Sequence, residues 1–288
     1  HTRLEFEAPK RLLTESLTET LAQYLTGYSG GPMPRNLLPE DATMVPLAAA
    51  ETSLDLNDGR AAQWLDVVHA APPGRETYLR GRVALQQGHA KEAAGLLAGS
   101  LRDNTSQLSV LYWLAAAEAQ SDDVGAATGH LKQILESRPR DQQALAALVK
   151  VSENRKEWDT AIAWQARLQD AEEGTKANNF CRLGDFYLRK ADLASAEKPL
   201  REGIRRDAYV YLCHRDLGEL LRARGKLQEA ETELQFVVVH FPEADPKTYA
   251  SLALLYKAQG EEEAQRKILA KGRRIFPDDT LLARLPVN

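Results

Sequence analysis

The sequence of 288 residues predicts an all-α fold, a right-handed α-solenoid of about six to seven antiparallel helical hairpins. Two tracks of small residues carry that reading. One runs through Gly81, Ala115, Val149, Gly184, Gly218 and Ala253, at spacings of 34, 34, 35, 34 and 35. The other, Ala93, Ala127, Ala161, Ala196, Ala230 and Ala264, keeps nearly the same period and follows the first by 11 or 12 residues. A repeat of this length is one helix–turn–helix unit that buries its apolar side on the next copy. Within a unit the apolar positions fall on single helical faces. Phe180, Leu183, Gly184 and Tyr187 are spaced 3, 1 and 3, and Leu193, Ala196, Leu200 and Ile204 are spaced 3, 4 and 4.

Ahead of the array, residues 3–9 (Arg-Leu-Glu-Phe-Glu-Ala-Pro) alternate polar and apolar, the period of a half-buried strand. A lone strand is not stable, so this one is expected to belong to a sheet outside the sequence. A helix follows over Lys10 to Thr26, with leucines at 13, 17, 21 and 25, and then a linker from Tyr28 to Pro34. Residues 1–36 therefore read as the remnant of an upstream domain. Residues 37–74 read as a degenerate capping hairpin. There Pro46, Leu47 and a run of alanines lead to the turn Asn57-Asp58-Gly59, and Ala61, Ala62, Leu65 and Val68 supply an apolar face. A cap is physically required, because a terminal repeat otherwise exposes one apolar side. The array proper spans 75–277. The tail, 278–288, holds Leu281, Leu282 and Leu285, enough for a short closing turn or helix.

Inside the array, Gly225 and Gly260 stand where a left-handed residue ends a first helix. Pro139, Pro242 and Pro277 close second helices, since proline forces the preceding residue out of helical geometry. Gly184 and Gly218 are expected where first and second helices touch, with Ala196 and Ala230 serving the same purpose from the opposite helix. The unit from Leu145 to Gln169 departs most from the pattern. Val149 occupies its small-residue slot, no glycine marks its turn, and Trp158 and Trp164 flank Ala161.

The pattern Leu183-Gly-x-x-Tyr187, with Ala196 following, resembles the tetratricopeptide repeat family over residues 75–277. The resemblance implies a concave groove lined by first helices. The residues facing it are then Tyr78, Arg82, Tyr112, Lys150, Asn154, Asn178, Asp185, Arg189, Arg215, Arg222 and Lys257. This set leans cationic and includes tyrosine and arginine, types over-represented in binding hot spots. It suits a peptide or partner helix carrying some acidic residues. A second copy of the chain, or its own helix at Lys10 to Thr26, is a further candidate occupant. Some family members hold chaperone C-termini with lysine and asparagine on three consecutive first helices. The matching slots here hold Tyr78 and Arg82, Tyr112 and Ala116, then Ala146 and Lys150, which disfavours that partner.

A second, shorter resemblance covers residues 4–10, Leu-Glu-Phe-Glu-Ala-Pro-Lys. It is similar to the end of the spermidine-synthase-like domain in bacterial membrane fusion proteins, without the acidic pair that precedes it there. It implies that this chain is the C-terminal repeat region of a larger membrane enzyme, recruiting or regulating, with the catalytic residues elsewhere.

Composition excludes several classes. A net charge of −4 and a pI near 6.0 give no field for nucleic acid or an anionic membrane. No apolar run reaches the roughly 18–20 residues of a membrane span. Cys181 and Cys213 are too few for a disulfide framework and read as two buried thiols on neighbouring first helices, within reach of each other. The histidines at 1, 69, 89, 130, 214 and 240 lack metal-ligand spacing. Of these, His214 occupies a slot meant for a large apolar side chain and is expected to be a core or rim histidine with a satisfied hydrogen bond. Glu261, Glu262 and Glu263 open a helix, where acidic side chains favour the dipole. No phosphate-binding glycine loop or nucleophile motif is present, and no metal or cofactor is implied. The expected function is a non-catalytic protein–protein interaction scaffold, with the cytoplasm favoured and attachment to a membrane protein allowed.

Overall fold

The computed structural model describes residues 39–57, 59–68, 71–103, 107–174 and 176–286. The expected strand at 3–9, the helix from Lys10 to Thr26 and the linker from Tyr28 to Pro34 lie outside the described residues, as does Asp58. Among the described residues every regular element is an α-helix.

The chain divides into two compact units at Pro139 and Arg140. In the first, α1 (Pro39–Leu56) and the short α2 (Ala61–Leu65) lie within the stretch read as a capping hairpin. They precede the hairpins α3 (Arg75–Gln86) with α4 (Ala90–Arg102) and α5 (Gln107–Gln120) with α6 (Val124–Ser137). The second unit holds four hairpins. These are α7 (Gln142–Asn154) with α8 (Trp158–Ala171), α9 (Ala177–Arg189) with α10 (Leu193–Arg206), α11 (Tyr211–Ala223) with α12 (Leu227–His240), and α13 (Pro246–Gln259) with α14 (Glu262–Ile275). The tail forms α15 (Thr280–Arg284), whose fully buried Leu282 covers the last hairpin. Arg273 of α14 donates to the Leu282 and Leu285 carbonyls and so satisfies the end of that closing helix.

Local chemistry fixes the boundaries. Asp123, Asp141, Asp192, Asp245 and Asp279 each accept a backbone N–H from the first turn of the helix they precede. Such a cap contributes about 1 kcal/mol. Second helices α6, α12 and α14 end two residues before Pro139, Pro242 and Pro277, as expected. Every first helix of the six array hairpins ends in a left-handed residue: Gly88, Asp122, Lys156, Ala191, Gly225 and Gly260, with φ between 59° and 84°. The next residue in each case donates its N–H to the carbonyl five positions back, for instance Glu157 to Ser152 and Glu261 to Tyr256, both at 2.9 Å. The irregular unit therefore turns at the same place as the others, with Lys156 in the backbone conformation that glycine adopts without cost.

The two small-residue tracks are the helix–helix contacts. Ala93, Ala127, Ala161, Ala196 and Ala230 are completely buried. A Cβ added to Gly81, Gly184 or Gly218 would stand 2.7, 2.5 or 2.6 Å from the Cγ of Leu97, Leu200 or Leu234 on the opposite helix. Those leucines belong to a third track, Leu97, Leu131, Gln165, Leu200, Leu234 and Leu269, again buried throughout. The irregular unit alters both sides of the contact together. Val149 fills the small slot, and Gln165, unbranched at Cγ, replaces the leucine and extends Nε2 to 3.5 Å from the Asn179 carbonyl while its Oε1 has no partner. Trp158 stands 6.2 Å from Phe186 in the next hairpin.

One expectation is corrected. Cys181 on α9 and Cys213 on α11 are not two thiols but a disulfide, 32 residues apart in sequence and almost fully buried. Gly203 on α10 makes the room, since a Cβ there would collide with the Cys213 sulfur and lie 3.4 Å from that of Cys181. The separation is two residues short of the repeat because the bond joins a side chain facing the next hairpin to one facing back.

Three measurements test this packing. Gly184→Ala is expected to cost about 1–3 kcal/mol by overpacking. By contrast Gly129→Ala, in a helix interior with nothing within 4 Å, is expected to stabilise by about 0.5–1 kcal/mol in the same denaturant titration. Gln165→Leu should gain stability only when combined with Val149→Ala, with a coupling of at least about 1 kcal/mol in a double-mutant cycle; additive effects would refute the paired substitution. Reducing Cys181–Cys213, or replacing both by serine, should lower stability by about 3–4 kcal/mol for a loop of 32 residues. An unchanged midpoint under reductant would count against the bond.

Candidate functional site

The first helices carry the polar residues that the sequence singles out, and each unit arranges them differently. In the first unit, Tyr78 on α3 is buried, and burial raises its hydroxyl above the usual phenol value. Arg82 on the next turn is only 5% exposed. Its guanidinium lies 5.7 Å from the centre of the Tyr78 ring and 4.5 Å from that of Trp113, and Nη2 donates to Asp55 at 2.6 Å. Arg82 is thus a packed strut between α1, α3 and α5. Tyr112 on α5 is half-buried beside the more exposed Trp113.

In the second unit, Asp185, Arg189 and Arg215 come together in a cleft of about 340 Å³ along α9, α11 and α13. Leu188, Asp216, Glu219, Ala223 and Lys247 complete its wall. Arg189 binds Asp185 at 2.7 Å, Arg222 binds Glu219 at 2.9 Å, and Arg215 bridges Asp216 at 2.7 Å and Asp245. Ser251 donates to the other Glu219 oxygen. Lys150 on α7 stands 3.6 Å from Glu153, which also binds Arg182 of α9 at 2.9 Å. Asn154, Asn178 and Lys257 are exposed on the same set of helices, but they are not among the residues lining the cleft.

The arginines read from the sequence as open cationic sites are therefore already paired, and their carboxylates were the missing half of the site. Asp185 with Arg189 and Glu219 with Arg222 are legible as one-turn helical neighbours. Asp216, directly beside Arg215 in sequence and so at no one-turn spacing, and Asp245, whose link to Arg215 spans two hairpins, are not. The depth of the charges differs as well. Lys150 and Arg189 have side chains 65% and 43% exposed against 20% and 21% for Glu153 and Asp185, so the cations stand outermost.

Asp216 is the deepest carboxylate. Burial pushes it up to about 6 from an ordinary 3.8, with Asp185 and Glu219 adding to the rise and Arg215 opposing it. His214, two residues earlier on α11, is nearly buried, with Nδ1 2.6 Å from Glu233 and Nε2 3.0 Å from the Ala208 carbonyl. It is the satisfied core or rim histidine expected. Among the described residues no group of three His, Cys, Asp or Glu side chains could hold a metal ion, and no helix is long and apolar enough to cross a membrane.

Helical hairpins stacked through small-residue contacts, with polar first-helix faces, define an α-helical repeat protein. The fold is that of tetratricopeptide-repeat proteins. No protein-family model and no curated protein matches the sequence. Solved structures do. The type IV pilus biogenesis factor PilW is 12% identical, with a TM-score of 0.56 over 74% of this chain and 98% of its own. PilF of Pseudomonas aeruginosa is 15% identical, with 0.54 over 73% and 95%. A tetratricopeptide repeat protein from Parabacteroides merdae is 14% identical, with 0.52 over 94% and 96%.

The raised Asp216 gives a pH prediction. Its carboxyl is easier to protonate in the fold than in the unfolded chain. Its favourable contribution is therefore complete below about 3.8 and is lost as pH rises through about 6. Asp216→Asn should accordingly gain in melting temperature relative to the parent between pH 4 and pH 8, because Arg215 keeps Asp245. Parallel melting curves across that range would refute the assignment.

Proposed function

We propose that the first-helix face of the second unit binds a peptide or partner helix bearing acidic residues, and that the chain works as a non-catalytic interaction scaffold. The observation that carries this reading is the open cleft along α9, α11 and α13, where charged side chains face solvent between otherwise apolar helix contacts. Lys150, Arg189, Lys247 and Lys257 are exposed, and the carboxylates beside Lys150 and Arg189 lie deeper. An acidic ligand therefore meets cations first, and the deeper pairs hold those side chains in place. A fold of this kind hosts such a site elsewhere: YrrB, 16% identical with a TM-score of 0.50, is described as a TPR protein with an unusual peptide-binding site. The disulfide weighs against the cytoplasmic expectation, since such bonds persist mainly in oxidising compartments.

A photo-crosslinking amino acid placed at Lys150, Arg189 or Lys257 in the source cells tests the proposal. A shared partner should be captured from these positions and not from Lys132 or Arg201 on second helices. It should be lost when Arg189 and Lys247 are both changed to Glu. Equal capture from both sets of positions would overturn the assignment.

A further inference from the structure

Away from that cleft, the second unit carries an aromatic corner where the loop before α11 meets α12. Tyr209 is 63% exposed, and Val239, one turn from Phe236 on α12, is 65% exposed. The Tyr209 ring lies 5.9 Å from Phe236 and 6.5 Å from Phe241, edge-on to the latter, and Phe236 stacks at 4.0 Å on the nearly buried His214. His240 closes on Phe236 at 4.5 Å. The rings are therefore held rigidly from below, and Glu233 fixes His214 in turn.

Elsewhere in the chain, several partly exposed aromatic rings are covered by the chain's own arginines: Arg82 covers Trp113, Arg167 covers Trp164 and Arg189 covers Trp158. Among the described residues no guanidinium lies over Tyr209, Phe236 or Phe241. The neighbouring charges include two carboxylates. Asp207 accepts the Tyr209 backbone N–H and Glu243 is exposed two residues beyond Phe241, while the nearby Arg205 and Arg206 share Glu202 and Lys271 donates to the Val238 carbonyl. A planar cation stacks on an aromatic face and gains from an adjacent carboxylate.

We propose that this corner docks an arginine-bearing basic segment of a partner protein, with a guanidinium laid on the Tyr209–Phe236 face and Asp207 or Glu243 as its counter-ion. The partner's arginine completes there the arrangement that the chain supplies for itself at Trp113, Trp158 and Trp164. The surface is distinct from the first-helix cleft and recognises the opposite charge, so one chain can hold an acidic and a basic segment together.

Octa-arginine and octa-lysine peptides, titrated into the whole chain at about 150 mM salt and followed by NMR, test the proposal. Octa-arginine should shift the Tyr209, Phe236 and Phe241 ring signals and bind more tightly than octa-lysine. Tyr209→Ala should weaken it by about two- to fivefold, the range of an exposed cation–π contact. Val239→Arg, which supplies an in-chain cation, should block it, while Asp185→Asn in the cleft should leave it unchanged. Both corner positions are exposed, so unaltered melting of the variants separates lost binding from lost folding. Equal affinity for the two peptides with no effect of Tyr209→Ala would overturn the proposal. So would a concentration-dependent dimer abolished by Tyr209→Ala, which would make a second copy the occupant.

Discussion

The structure depends on how closely two helices approach at one point in each hairpin. At Gly81, Gly184 and Gly218 the backbone of the first helix meets the branched end of a leucine on the second, with no space for a methyl group. That approach brings the alanine track into full burial. Because each hairpin buries its apolar side on a neighbour, an error at one contact is felt by two interfaces. The left-handed residue ending each first helix is the other half of the constraint, since it aims the second helix back along the first. Asp122, Lys156 and Ala191 hold that conformation without being glycine, so the packing of the hairpin outweighs the local backbone preference.

Electrostatics follow from this geometry. Consecutive first helices lie side by side, so their polar faces form charge pairs between hairpins, such as Arg182 with Glu153 and Arg215 with Asp245. Pairing orders the long side chains before any ligand arrives, which lowers the entropic cost of recognition. Both charged first-helix faces and exposed aromatic corners are by-products of stacking hairpins.

Much of the architecture was legible because it is periodic. The two small-residue tracks specified the hairpins, and prolines and aspartates marked the ends of several helices. Helices α2 and α15 were readable from apolar residues such as Leu65 and Leu282, which are buried. The turn at Lys156 was not, because its conformation is imposed by packing and leaves no residue signature. The Cys181–Cys213 bond needed the facing directions of two helices, which a count of cysteines does not contain. The candidate site was half legible. Period placed Asp185, Arg189 and Arg215 on related faces, but the pairing of Arg215 with Asp245 reaches 30 residues along the sequence.

The disulfide also has a mechanical meaning. It joins α9 directly to α11, so the residues from 182 to 212 are bypassed by a covalent shortcut. A pull applied across these two hairpins travels through two sulfur atoms, and α10 and its loops are shielded from the load. Neighbouring hairpins, held by packing and charge pairs without a covalent link, are the compliant links of the stack. Stretching the second unit would therefore lengthen it at α7–α8 and α13–α14 first, with the α9–α11 segment acting as a stiff insert in a soft spring.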